Sequence, residues 1–351
     1  VAAVAAPFPR PLWPTPRPIT TNTAVVVHLE DEDGRPGLGY LPTFGFGTLA
    51  VRSLVADDLT PRLLGRDWAD AAEAVRDLVA STALAGRLAG AARMAIAALE
   101  CALLDLESKR AGLPLHRLWG LPATPTRAYA SGGWRYLPTD DVVAHARAAV
   151  ERGFTAVKIQ VGLSPAEDAD RLRAVREAVG PEVAVMVDAN ERIPATHAAE
   201  WLRGLEQFEP TWIEEPVPAA DHATLATLTA GSAAPIAAGE GETEPAELVD
   251  LVERRAVDVL QPDVYRVGFG ALRDLATATA DADLAFAPHM AHELSGHVTT
   301  GSSGTTWLEY FDWFEDWWEE PVMPVAGEIA PPSRHGHGLS VPAAWLAAHR
   351  I

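Results

Sequence analysis

Residues 183–216 read VAVMVDANERIPATHAAEWLRGLEQFEPTWIEEP. A short apolar run, 183–188, closes on Asp188. An amphipathic stretch, 195–207, follows, and a second run, 211–214, closes on Glu214. Short apolar runs bounded by turn residues read as strands, and apolar positions recurring every three or four residues read as a helix. The unit is therefore strand–helix–strand, and it repeats outward in both directions. Upstream lie candidate strands 127–131 and 155–160 with a helix over 165–179. Downstream lie 235–238, 257–260, 284–288 and 306–309. Eight strands at intervals of roughly 20–30 residues are the rhythm of a closed parallel barrel. An open doubly wound sheet would favour a glycine-rich phosphate turn after its first strand, and none stands there. The predicted fold class is α/β, a modified TIM barrel of (β/α)7β type.

The first third has another texture. Residues 23–28 and 37–42 are β-rich and flank DEDGRP, whose Asp33-Gly34 is a hairpin turn signal. From about 67 to 110 the pattern becomes helical, with Met94, Ile96, Leu99, Leu103 and Leu106 at helical spacing. Antiparallel strands followed by helices predict an α+β cap over residues 1–121, with the barrel over 122–325. The composition fits this: 48% hydrophobic and 22% charged residues exclude wholesale disorder. A formal net charge of −20 repels a phosphate backbone, so neither nucleic acid nor an anionic membrane is an expected partner. The opening VAAVAAPFPRPLWPTPRP holds too many prolines and arginines for a signal-peptide core. Cys101 is the single cysteine, which fits a reducing compartment, and the expected localisation is cytoplasmic. Lysine occurs only at Lys109 and Lys158.

In a barrel of this kind the chemistry sits at the carboxyl-terminal ends of the strands. Seven of the eight candidate strands run there into an ionisable residue: Lys158, Asp188, Glu214, Glu240, Asp263, His289 and Glu309. Exposed strand ends are usually polar, which explains one such residue but not seven in register. Asp188, Glu214 and Glu240 are spaced 26 residues apart, one βα unit each. Neighbouring strands lie about 4.8 Å apart, so the three carboxylates converge on one point. Unpaired, they would raise one another's pKa. A hard divalent cation removes the conflict, and Mg²⁺ takes oxygen ligands while leaving room for water and substrate. Arginine partners are the plainer alternative, but Arg192, Arg203 and Arg266 stand out of register with the acids.

The motifs AVKIQVG, VMVDAN, WIEEP, AAGE, QPD, APHMAHE and WLEYFDW occur in this order, after IAALECALLDLESKRAGLPLHRLWG. In these residues, and over nearly its whole length, the chain resembles the enolase superfamily, and within it the mandelate racemase group. The resemblance implies one Mg²⁺ held by Asp188, Glu214 and Glu240, with Asn190 near it. It implies that His289 and Asp263 form the base dyad and that Glu309 binds the substrate carboxylate. It also implies a homo-oligomer and a C-terminal segment, 326–351, that returns to the cap. The physics is consistent with that assignment. Removing a proton next to a carboxylate makes a doubly negative enediolate, which Mg²⁺ and the Lys158 ammonium stabilise. A protonated Glu309 would donate from the other side, a neutral His289 would take the proton, and Asp263 would fix its tautomer.

One position departs from the family. Racemases and cycloisomerases of this group usually carry Lys-x-Lys on the second strand, where this chain has Lys158-Ile159-Gln160. An amide exchanges no proton at neutral pH, so one face of the substrate loses its base. A single dyad suits β-elimination of water, and the leading expectation is dehydration of a sugar acid, a small-molecule carboxylate, with Gln160 contacting the substrate. An epimerase or cycloisomerase working with one base is the alternative. A non-catalytic barrel retaining the metal is disfavoured, because it needs no oriented base. Trp307, Trp313, Trp317 and Trp318 are expected to pack the cap on the barrel, loop 40–47 to close over the pocket, and His292 is a weaker candidate for facing the substrate. Glu215, Glu242 and Glu293 receive no role.

Overall fold

The structure, a computed structural model, describes residues 1–82, 90–300 and 306–351. Three antiparallel strands, β1 (Ala2–Leu12), β2 (Ile19–Glu30) and β3 (Pro36–Pro42), form one sheet in the order β1-β2-β3. The turn between β2 and β3 is the one Asp33-Gly34 predicts, with Gly34 at φ 77° and its N–H on the Asp31 carbonyl. Strand β1 was not anticipated, because prolines at 7, 9 and 11 argue against a ladder. It is an edge strand, and those prolines share one side of it, where no partner N–H is needed. The helix Ala91–Arg110 lies across β3 so closely that a Cβ on Gly37 or Gly39 would sit 2.3 Å or 2.0 Å from the carbonyl oxygens of Ala102 and Ala98. Glycine is obligatory at both positions.

All eight anticipated barrel strands are present: β4 (Thr126–Ser131), β5 (Ala156–Gln160), β6 (Ala184–Asp188), β7 (Ile213–Glu214), β8 (Ile236–Ala238), β9 (Val259–Leu260), β10 (Ala285–Phe286) and β11 (Leu308–Tyr310). They pair in parallel along the path β10-β9-β8-β7-β6-β5-β4-β11, and a single parallel bridge between Phe286 and Thr306 joins its two ends. A helix follows each strand except the last, which is the (β/α)7β pattern. The interior is filled by one residue per strand position: Tyr129, Ala156, Met186, Trp212, Ala237, Val259, Ala287 and Trp307 pack as one cluster. Four large side chains, three alanines and Val259 share this layer, so the barrel interior is a packed core. Trp307 therefore belongs to the barrel interior and not, as expected, to the cap interface. Trp313 and Trp318 do meet the cap, through Phe44 at 5.7 Å and Tyr40 at 4.7 Å between ring centroids.

The chain end ties cap to barrel. Strand β12 (Glu328–Ile329) adds antiparallel to β4, the His337 N–H reaches Asp105 on the cap helix, and the Ile351 N–H reaches the Ala3 carbonyl. Among the described residues no helix is long and apolar enough to cross a membrane.

Candidate active site

Register brings the site together. Gln160 pairs with Asp188 and Asp188 with Glu214, so three strand-end side chains stand side by side on β5, β6 and β7. Lys158 enters one layer deeper, level with Met186, its ammonium 5.6 Å from the Tyr129 ring. The backbone past the strand ends is forced into the left-handed region at non-glycine residues: Asn190 and Glu191 after β6, Glu215 after β7, Met290 and Ala291 after β10. Such strain persists only where the surroundings over-determine it, and it gathers here at the barrel mouth.

The Lys158 ammonium lies 2.5 Å from Glu214 Oε1, 2.6 Å from Glu309 Oε1 and 3.9 Å from Asp188 Oδ2. Burial alone would lower its pKa, but Glu214 and Glu309 hold it well above the ordinary lysine value. Glu214 is fully buried, and its Oε2 accepts from Trp212 Nε1 at 3.0 Å and Gln261 Nε2 at 2.7 Å. Burial, and then Glu214, push Asp188 upward, and burial does the same to Glu214. Asn190 grips Asp188 through its backbone N–H at 2.8 Å and its amide at 2.9 Å. The ligand atoms of Glu214, Glu240 and His289 lie within 4.8 Å of one another. Asp188 stands outside that cluster, since Asn190 and Lys158 occupy its carboxylate.

Two of the expected residues have other partners here. His289 does not hydrogen-bond Asp263 through its side chain. Its Nδ1 lies 2.7 Å from Glu240 Oε2 and 3.1 Å from Glu309 Oε2, because two carboxylates attract it more than one. Burial opposes the charge, yet Glu240 and Glu309 raise the His289 pKa well above the ordinary histidine value. Asp263 is close in backbone, where the two residues form a bridge, and the His289 charge acts on its carboxylate, which accepts from the Tyr265 N–H at 2.7 Å. Glu309, expected to donate to the substrate carboxylate, stands between Lys158 and His289. Burial would raise it, but Lys158 and His289 hold it far below the usual range, and it accepts from the Met290 N–H at 2.9 Å. His292 turns from the cavity, its Nε2 3.1 Å from the Val322 carbonyl.

A divalent cation fits this donor set. Three buried acids, Asp188, Glu214 and Glu309, and the half-buried Glu240 face two cations, Lys158 and His289. Glu240 Oε2 and Glu309 Oε1 are buried without an aligned hydrogen-bond donor. Oxygen ligands in excess of protein charge are what a hard cation satisfies.

Several residues escaped sequence reading. Arg135, 1% exposed, donates to the carbonyls of Val161 at 2.5 Å and Ala189 at 2.8 Å and to Asn190 Oδ1 at 3.1 Å. Its backbone N–H fixes Gln160 through Oε1 at 3.1 Å. It follows the one strand whose end carries no acid or base, and the GGWR run at 132–135 was the available signal. Lys158, Gln160, Asp188, Asn190, His289 and Glu309 all line one cavity of about 310 Å³, roofed by Phe44 of the expected lid loop.

Residues 2–120 match the family of the mandelate racemase / muconate lactonizing enzyme N-terminal domain, and residues 141–345 match the enolase C-terminal domain-like family. The chain belongs to the enolase superfamily, in its mandelate racemase group. Among its relatives is the L-talarate/galactarate dehydratase of Salmonella typhimurium, 35% identical over 331 residues, which are 93% of this chain and 82% of that one. The 3,6-anhydro-alpha-L-galactonate cycloisomerase of Streptomyces coelicolor is 32% identical over 90% of this chain and 88% of its own. An L-talarate dehydratase from Polaromonas sp. JS666, solved with Mg and L-glucarate, superposes with a TM-score of 0.93 at 34% identity, covering 100% of this chain and 95% of that one. The mandelate racemase group thus includes, among proteins similar to this one, both dehydratases and cycloisomerases of sugar acids.

Proposed function

We propose that this protein is a Mg²⁺-dependent hydro-lyase that dehydrates a sugar acid to a 2-keto-3-deoxy acid. Asp188, Glu214 and Glu240 would hold the ion, which when bound supplies Lewis-acid stabilisation of the charge developing on the substrate carboxylate. Lys158 adds a fixed positive charge at the same point. His289 takes the proton α to the carboxylate and returns it to the departing β-hydroxyl, so one imidazole serves as base and then acid. Asp263 orients that imidazole once the charge of Glu240 is engaged elsewhere. Glu309 and Asn190 position the carboxylate end, and Gln160 hydrogen-bonds a substrate oxygen. Residues 1–121 are read as the cap, 122–325 as the barrel and 326–351 as the returning segment of a homo-oligomeric enzyme.

The observation carrying this reading is the pair facing one cavity: an imidazole at position 289, and an amide at 160 where the family usually has a second base. Dehydratases among the relatives support it. The test is a sugar-acid library incubated with protein and Mg²⁺ and assayed for 2-keto-3-deoxy products. Turnover of at least one acid, lost reversibly on chelation, is expected. Turnover in excess chelator contradicts the scheme.

A further inference from the structure

The cavity has two unlike halves. Its floor carries the ionisable strand ends. Its outer wall is a slab of aromatic rings: Trp134 stacks on Phe311 at 6.1 Å and 7°, Phe311 stacks on Trp313 at 3.8 Å and 25°, and Phe44 of the cap meets Trp313 at 5.7 Å. The other cap residues on it are Leu12, Pro14, Thr15 and Ile19, in the proline-rich loop between β1 and β2. Among the described residues lining the cavity, none contributed by the cap is charged. Arg135 offers little on the floor, since its guanidinium is spent on two carbonyls and Asn190. Arg192 also lines the cavity, from the turn after β6 beside Gly162, where it is exposed to solvent.

Resting on the reading that the floor holds a carboxylate, we infer that the substrate is a monocarboxylate whose far end presents an apolar C–H face, as a ring-closed sugar acid does. It is not an open-chain diacid. A second carboxylate placed against this wall would lose its hydration with no cation from the cap to replace it. A saturated ring laid on the aromatic slab buries carbon against carbon and keeps its hydroxyls at the edge. The cap side of the cavity is therefore uncharged: cations and metal ligands stand at the floor and Arg192 at the turn after β6, with aromatic carbon at the roof.

Calorimetric titration of the Mg²⁺-loaded protein with tetrahydrofuran-2-carboxylate and with cis-tetrahydrofuran-2,5-dicarboxylate isolates the second carboxylate on one ring and needs no turnover. The monocarboxylate is expected to bind at least about tenfold more tightly. Thr15→Arg places a cation on the cap loop and is expected to improve dicarboxylate binding by about tenfold while leaving the monocarboxylate within a factor of about two. Equal or tighter binding of the dicarboxylate to the unmodified protein overturns the inference, and its loss in Arg192→Ala would then make Arg192 the reader of a diacid. Absence of saturable binding by the ring monocarboxylate overturns it too, while the elimination reading stands or falls separately on turnover in the library.

Discussion

The protein's two lysines each sit on buried carboxylate, at sites built in opposite ways. In the cap, Asp105 is fully buried and completely served. Lys109 Nζ donates to it at 2.6 Å, the Leu38 N–H at 2.8 Å and the His337 N–H at 3.0 Å, and Lys109 also reaches the Pro36 carbonyl. One negative charge meets one positive charge, and the hub joins helix, sheet and C-terminal segment. In the barrel, Lys158 is shared by Glu214 and Glu309 with Asp188 close by, and Glu240 leans on His289. Acids outnumber cations there: burial and neighbouring acids push Asp188 and Glu214 upward, while Lys158 and His289 hold Glu309 down. A balanced polar hub holds a fold together; an acid excess stores repulsion that only a bound cation relieves. Glu100 stands between the two cases. It accepts from the Phe269 and Gly270 N–H groups at 3.0 and 2.9 Å, pairs with no cation among the described residues, and burial raises it to about 7.

The comparison breaks most visibly at Glu214. Glu214→Gln is expected to abolish turnover and weaken Mg²⁺ binding while leaving the metal-free melting temperature undiminished, because one of several competing charges is gone. A melt that collapses along with activity would make the floor structural. Asp105→Ala should do the reverse. It strands Lys109 and two backbone N–H groups, costing about 3–5 kcal/mol of stability, while activity per folded molecule stays unchanged. Chemical denaturation with activity normalised to folded protein reads both. Lys158→Met is expected to lower kcat by about 10²–10³, measured on the best acid of the library, and to lower the metal-free melting temperature, because one of the two cations facing the acids is gone. The smallest effect concerns Glu100. Its folded pKa of about 7 lies above the unfolded value of 4.5, so its contribution favours the folded state at low pH and is lost as pH rises through 7. Glu100→Gln should flatten that dependence between pH 4.5 and 7, a difference on the order of 3 kcal/mol. Identical pH–stability curves for the two proteins would show that the carboxyl is not held in its neutral form.

Much of this was legible in the sequence for a definite reason. The barrel strands are buried on both faces, so each reads as an uninterrupted apolar run, and the βα repeat spaces them evenly. Asp188, Glu214 and Glu240 fell into line because each closes such a run. Strand β1 was illegible because its prolines are tolerated only at an edge, and edge position is a tertiary fact. The same holds for Arg135 and Trp134, which reach the cavity through a loop of no fixed period. The direction of the His289 ring was illegible for another reason. Sequence order places His289 and Asp263 at adjacent strand ends, but the direction of an imidazole depends on the summed charge around it, and here Glu240 and Glu309 outweigh Asp263.

The central claim is that a single base, His289, works on one face, with the amide of Gln160 across from it. It is tested most directly by incubating both C2 epimers of a turned-over acid with protein and Mg²⁺ in deuterated water and following the C2 proton by NMR. The account predicts exchange of one epimer only, and none of either with His289→Asn. Exchange of both epimers by the unmodified protein, or undiminished exchange by His289→Asn, would contradict it.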